Sequence, residues 1–171
     1  IPYHGLSDPL TPEQANLTAG DLVSTIQESV DIAQGLGEHV TVCGISCGGV
    51  MTAWAAQYRS DVDLALGIAP SAGLPFVPMW VSTVFRNVAP RIGNINIWWD
   101  PRVKEKIVGP SYAYPRFSTR GLAQIFRLGR LIYETSANMP ARAKQLKSIT
   151  SDFDTAVKNS ITYDILDNWE S

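Results

Sequence analysis

His39-Val-Thr-Val-Cys-Gly-Ile-Ser-Cys-Gly-Gly-Val50 is the stretch on which the fold turns. A short β-branched run, Val40 to Cys43, leads into Gly44-Ile45-Ser46-Cys47-Gly48, and a small-residue stretch from Gly49 to Tyr58 follows at helical composition. A G-x-S-x-G match acquires meaning in that strand–turn–helix context. A tight reversal from strand into helix forces the serine into a strained backbone conformation and brings neighbouring backbone close. Side chains at Gly44 and Gly48 are therefore expected to clash. The strain pushes the Ser46 hydroxyl out at the top of a sheet, and the helix that begins beside it supplies free N–H groups and positive dipole.

The bulk properties bound what surrounds this turn. A chain of 171 residues suits one domain, or a core with an insertion. Its 45% hydrophobic and 18% charged residues are ordinary for a globular protein. A net charge of −2 gives no reason to invoke nucleic acid or an anionic membrane surface. No apolar run is long enough for a transmembrane helix, so no stable membrane insertion is expected. The two cysteines, Cys43 and Cys47, flank the turn, which suits reduced thiols in a reducing compartment and favours the cytoplasm. His39, Cys43 and Cys47 do not converge on one tetrahedral point from a strand and a sharp turn, so neither metal nor cofactor is expected.

Outward from the turn, residues 1–16 read as loop. Thr18-Ala-Gly-Asp21 is a capping-box variant that opens a helix with Leu22, Ile26, Val30 and Ala33 on one face, closed by Gly35 and Gly37. Leu64 to Ala69 is a buried strand ended by Pro70. Helix, strand, helix, strand in that order implies a parallel sheet with right-handed crossovers.

From residue 73 to 146 the character changes. Prolines gather, with Phe76, Met79-Trp80, Trp98-Trp99 and Tyr112-Ala-Tyr114-Pro115. Helical patches are expected at Val81–Val88, Gly121–Ser136 and Ala141–Leu146, and no alternating strand pattern recurs. The division is thus a core over 1–72, a helical insertion over 73–146, and a return to the core over 147–171. The insertion leaves from the carboxyl end of a sheet strand, where sites of α/β folds lie, and is expected to act as a lid with an apolar inner face. Met79, Trp80, Trp98 and Trp99 are the candidate substrate-binding residues. Asn159 to Trp169 forms a final amphipathic helix.

Three pieces together resemble the α/β-hydrolase superfamily, and within it the lidded carboxylesterase and monoacylglycerol-lipase-like group. Pro2-Tyr3-His4-Gly5 is similar to the family's P-G-H-G turn, with Tyr3 in place of the glycine. Gly44-Ile-Ser46-Cys-Gly48-Gly49 is similar to its G-x-S-x-G-G elbow. Ser151-Asp-Phe-Asp154-Thr-Ala-Val157 is similar to its G-x-x-D-x-x-V acid loop, with Ser151 in place of glycine. The resemblance implies an α/β-hydrolase core with an inserted helical lid, and a serine hydrolase acting on small carboxylic esters; the apolar, aromatic stretch with Phe76, Met79, Trp80, Trp98 and Trp99 leads us to expect an uncharged ester of medium acyl chain. Ser46 would be the nucleophile, the Cys47 N–H an oxyanion-hole donor, and Asp154 the triad acid, with Asp152 its rival. A non-catalytic binding protein, or an acyltransferase or thioesterase using the same serine, are the alternatives.

The resemblance also implies the chain order serine, acid, histidine. The two histidines here, His4 and His39, both precede Ser46. His39 starts the elbow strand, roughly 20 Å from the hydroxyl at ~3.3 Å per strand residue, and His4 lies in a turn that is structural in the family. The expectation is that further strands precede this segment and that a histidine follows it.

Overall fold

The computed structural model describes residues 1–74, 79–102, 104 and 114–170, the side chain of Met79 excepted. A helical turn at Glu13–Asn16 precedes α1 (Ala19–Gln34), followed by β1 (Thr41–Ile45), α2 (Cys47–Tyr58) and β2 (Leu64–Ile68). Then come α3 (Met79–Val88), β3 (Asn96–Trp98), β4 (Arg116–Ser118), α4 (Thr119–Ser136), β5 (Gln145–Ile149) and α5 (Asn159–Glu170).

The three longer strands form a parallel sheet in the order β1-β2-β5. Their register aligns Thr41, Leu64 and Gln145 at one end and Ile45, Ile68 and Ile149 at the other. Parallel neighbours need crossover helices. Here α2 connects β1 to β2, and the excursion ending in α4 connects β2 to β5.

Local chemistry explains the elements. Thr18 Oγ1 accepts the Asp21 N–H at 3.1 Å, and Asp21 Oδ2 accepts the Thr18 N–H at 2.9 Å, so the expected capping box closes the start of α1. Leu22, Ile26 and Val30 then bury one face of α1, each 6% exposed or less. The central helix α2 is apolar nearly all round, with Val50, Met51, Trp54, Ala55 and Ala56 buried. It is enclosed by the sheet and by α1 and α4, as a helix hydrophobic on every side must be. Gly49 lets it approach β2, because a Cβ there would lie 3.0 Å from Pro70 Cα and 3.2 Å from the Ile68 carbonyl oxygen.

Two expectations need correction. Residues 141–146 do not form a helix. The N–H groups of Arg142 and Ala143 both donate to the Ala56 carbonyl, at 2.7 and 2.9 Å, and that of Lys144 donates to Val62 at 3.0 Å. The open carbonyl end of α2 and the loop before β2 thus take the bonds a helix would need. The 73–146 segment also contains strands, since β3 and β4 pair antiparallel with Ile97 opposite Phe117. Phe76 and Tyr112 lie outside the described residues.

Candidate active site

Ser46 stands between the last residue of β1 and the first of α2 with φ 55° and ψ −113°. Side chains rarely occupy that left-handed region, and a residue stays there only when its surroundings hold it. Here the Ser46 N–H donates to the Ile68 carbonyl at 2.8 Å, continuing the β1–β2 ladder one residue past the strand. Its own carbonyl accepts from Val50 at 3.2 Å, as the first helical bond, and from Ser71 at 3.1 Å. The strand, the helix and the loop after β2 each fix the backbone.

Gly44 makes the reversal sterically feasible. A Cβ there would come within 2.2 Å of the Gly48 carbonyl oxygen and 2.7 Å of Thr52 Oγ1. The parallel expectation for Gly48 does not hold: a Cβ at that position meets no atom within 4 Å. The close approach runs from Gly44 to the backbone of residue 48, so only one of the two side chains is forbidden.

The Ser46 side chain is exposed and does not cap α2. It lines a cavity of about 150 Å³ together with Cys47, Ser71, His4, Gln14 and Leu17 from the core side. The opposite wall comes from the stretch around β3 and β4 and from the first turns of α4: Trp99, Phe117, Ser118, Gly121, Leu122 and Ile125. Ser118 is fixed by donating to Asn94 Oδ1 at 2.6 Å and accepting the Gly121 N–H at 3.0 Å. Trp99 packs on Phe117 at 4.7 Å between ring centroids.

Cys47 is the first residue of α2, so its N–H has no acceptor within the helix. Burial pushes its thiol up to about 11. The sulfur is therefore neutral near pH 7 and does not compete with Ser46 as a nucleophile. Both cysteines are free thiols, and no cluster of metal-ligating side chains occurs among the described residues.

Asp154 lies on the loop after β5, at the same sheet end as Ser46, because Ile45 and Ile149 share one register level across β2. Two strand spacings of ~4.8 Å separate β1 from β5, about 10 Å. Asp154 Oδ1 accepts the N–H groups of Ala156 and Val157 at 2.7 and 3.1 Å. Buried Val157 pins this turn, and the Lys158 N–H reaches back to the Gly73 carbonyl at 3.3 Å. Asp154 is half-buried, whereas Asp152 is exposed.

The other sequence candidates separate. Trp99 reaches the Ser46 cavity, Trp80 lines a different groove, and Trp98 lies against the Arg116 guanidinium at 5.5 Å. The side chain of Met79 is outside the described residues. His39 sits at the amino end of β1, 3.6 Å from Asp63. His4 is in the Ser46 cavity, its ring stacked on Tyr114 at 5.3 Å and its Nδ1 3.2 Å from the Pro2 carbonyl. Gln14 and Ser118 line the cavity with no signal in the sequence, since each arrives through a contact more than a hundred residues apart, the Ser118 N–H to Gln14 Oε1 at 3.3 Å.

No protein-family profile matches the chain, and no curated protein matches it in sequence. Solved structures do match in shape. A monoacylglycerol lipase from Paleococcus ferrophilus superposes with a TM-score of 0.63 at 13% identity, covering 89% of this chain and 61% of that one. A soluble variant of the Saccharomyces cerevisiae monoglyceride lipase, solved with a substrate analogue, gives 0.62 at 14% identity, covering 89% and 56%. The chain thus spans about three-fifths of the length of the structures it resembles. At these identities the shared property is the fold: a parallel α/β-hydrolase sheet with its helices.

Proposed function

We propose that this chain carries the nucleophile and the acid of a serine hydrolase that cleaves uncharged carboxylic esters of medium acyl chain. The observation that carries the reading is Ser46 itself, held at φ 55° on a strand-to-helix turn with its side chain in a cavity of about 150 Å³. Strain of this kind persists where function requires it.

Ser46 Oγ attacks the ester carbonyl carbon while its proton passes to an imidazole base, and the carbonyl oxygen becomes an oxyanion. The Cys47 N–H donates to that oxygen, a contact worth on the order of 3 kcal/mol of barrier for donors of this type. Collapse expels the alkoxide, which takes the proton from the imidazolium and leaves the acyl group on Ser46. Water then attacks the acyl-enzyme by the same route and frees the acid and the serine. Asp154, with its carboxylate oriented by two backbone N–H groups, orients the imidazole and stabilises its cationic form. Leu17, Leu122, Ile125 and Trp99 give the cavity an apolar wall, and no lysine or arginine lines it among the described residues, which suits an uncharged acyl chain. Leu122, Ile125 and Trp99 belong to the 73–146 segment, and we read that segment as the lid.

The test uses the intact protein, a fluorophosphonate probe and nitrophenyl esters from two to sixteen carbons. Covalent labelling of Ser46, found by peptide mass, with ester turnover that Ser46→Ala abolishes, supports the reading. A probe that labels another residue, or turnover that survives Ser46→Ala, overturns it.

A further inference from the structure

A second polar cluster lies outside the Ser46 cavity and shares no lining residue with it. It sits where α3 packs on α4, with Phe85 against Phe126 at 6.1 Å between ring centroids. Ser82 and Arg86, one turn apart on α3, line a narrow crevice with Arg130 and Tyr133 of α4. Ala72 also lines it, and Ala72 follows Ser71, whose N–H donates to the Ser46 carbonyl at 3.1 Å. The crevice therefore borders the loop that fixes the elbow.

Donors here outnumber acceptors. Arg130 Nε donates to Glu134 Oε1 at 2.7 Å, and its guanidinium lies 5.0 Å from the Tyr133 ring centroid. The two Nη groups of Arg130 have no acceptor among the described residues. Arg86 is half-buried and makes neither a hydrogen bond nor an ion pair among them. The buried Ser82 hydroxyl has no partner there either. Arg127 stands one turn before Arg130, so three guanidiniums surround one carboxylate, Glu134, which leaves two positive charges unbalanced. Burial first, then Arg130, push the Arg86 guanidinium below its ordinary value, with Glu134 opposing and Arg127 adding. The fold thus holds like charges together at a cost.

Guanidinium forks match the oxygens of carboxylates and phosphates, and two features favour phosphate. The two unbalanced positive charges match a phosphate monoester, which carries about −1.5 to −2 near pH 7, whereas a carboxylate would balance only one. The crevice, of about 10 Å³, admits a single oxygen-sized atom. That suits a tetrahedral group with one oxygen inside and the others at the mouth. We propose that this crevice binds a phosphate group, as the free ion or as a small monoester. Arg86 and the Nη groups of Arg130 hold its oxygens, and the Ser82 hydroxyl donates a further bond. The bound anion neutralises the cluster and ties α3 to α4 beside the loop that carries Ser71.

The site does not depend on Ser46 being a nucleophile, and it is tested by thermal melting of the intact protein. Inorganic phosphate, phenyl phosphate and acetate are titrated near neutral pH, with sodium chloride holding the ionic strength constant. Both phosphate compounds should raise the midpoint and saturate, and acetate should not. A larger rise with inorganic phosphate assigns the site to the free ion, and a larger rise with phenyl phosphate to a monoester. Arg86→Gln and Arg130→Gln should each weaken binding by about tenfold or more, and Ser82→Ala by about threefold. Without ligand, Arg86→Gln should melt no lower than the parent, since it relieves the crowding of like charge. Arg86→Lys keeps the charge without the fork and should still lose most of the effect. Arg102→Gln, at a guanidinium paired with Asp100 at 2.9 Å, and Ser46→Ala should bind as the parent does. Circular dichroism confirms that each variant is folded. No rise with phosphate, an equal rise with acetate, or an Arg86→Gln variant that binds as well as the parent overturns the proposal. So does loss of binding in Ser46→Ala, which would place the anion at the serine.

Discussion

The rings of His4 and Tyr114 stack at 5.3 Å with their planes 8° apart, and the Tyr114 hydroxyl accepts the Leu6 N–H at 2.9 Å. These contacts join the turn at the mouth of the Ser46 cavity to the residue that leads into β4, across more than a hundred residues of chain. One side chain therefore couples the entry to β4 to the amino-terminal loop through two separable interactions. Tyr114→Phe keeps the stack and loses the hydrogen bond, and should cost about 1 kcal/mol. Tyr114→Ala loses both and should cost about 2 kcal/mol. Urea unfolding midpoints of the two variants measure the difference, and equal losses would show that the stack contributes nothing.

The elbow offers a sharper comparison. Gly44→Ala places a Cβ 2.2 Å from the Gly48 carbonyl oxygen, beside a turn in which the Ser46 backbone makes three hydrogen bonds. It should destabilise by about 3 kcal/mol or fail to fold. Gly48→Ala meets nothing within 4 Å and adds a better helix former near the start of α2. It should be neutral or stabilising by up to about 1 kcal/mol. Thermal midpoints of the pair decide it, and equal effects would mean that the close approach at Gly44 is relieved by movement of α2.

These two glycines show how far the sequence carries the fold. G-x-S-x-G between a strand and a helix was sufficient to place Ser46, and the Thr18–Asp21 box and the Leu22, Ile26, Val30 stripe to place α1, because each signal is local. Gly44 and Gly48 look equivalent in sequence and differ only in what lies across the turn. The β3–β4 pair was missed for a related reason. Three-residue strands give barely one alternation, and their pairing joins residues about twenty apart. The failed helix at 141–146 was lost to carbonyls on α2 and before β2, which no propensity scale sees. In the candidate site, Ser46 and Asp154 announce themselves by motif. Gln14 and Ser118 reach the cavity through long-range packing and so carry no local signal, whereas His4 stands in a recognisable turn motif whose neighbours the sequence does not reveal.

At the opposite end of the sheet, Asp63 clasps the entries of all three strands. Its Oδ2 accepts the Val40 N–H at 2.8 Å, and its Oδ1 accepts Lys144 Nζ at 2.7 Å. The Lys144 ammonium, then the Val40 N–H, hold the carboxyl down at about 2. A depressed carboxylate contributes stability that is fully present above its unfolded value, about 3.9, and is lost as pH falls through the folded value. The parent's stability should therefore decline between about pH 4 and pH 2, and Asp63→Asn should flatten that part of the profile while leaving the rest parallel. A variant whose acid limb overlays the parent's would remove Asp63 from the account. Because this clasp lies at the amino ends of the strands, ester turnover per folded molecule should not change.

His4 raises the last question, because it is the one imidazole in the Ser46 cavity among the described residues. A triad base presents one ring nitrogen to the serine and the other to a carboxylate. In His4 the Nδ1 lies 3.2 Å from the Pro2 carbonyl, which can only accept, so Nδ1 faces a carbonyl where a triad base would face a carboxylate. The ring is also held flat against Tyr114, well placed to wall the cavity and poorly placed to carry a proton away. His4→Gln in the intact protein should therefore reduce ester turnover by no more than about tenfold, chiefly through KM. Losing a triad member costs ~10⁴–10⁶ in turnover, so Ser46→Ala sets the scale for comparison in the same assay. Asp154→Asn should fall near Ser46→Ala, and Asp152→Asn should stay near the parent. If His4→Gln drops to the level of Ser46→Ala with kcat bearing the loss, the base is His4 and the serine–acid–histidine order does not hold in this protein.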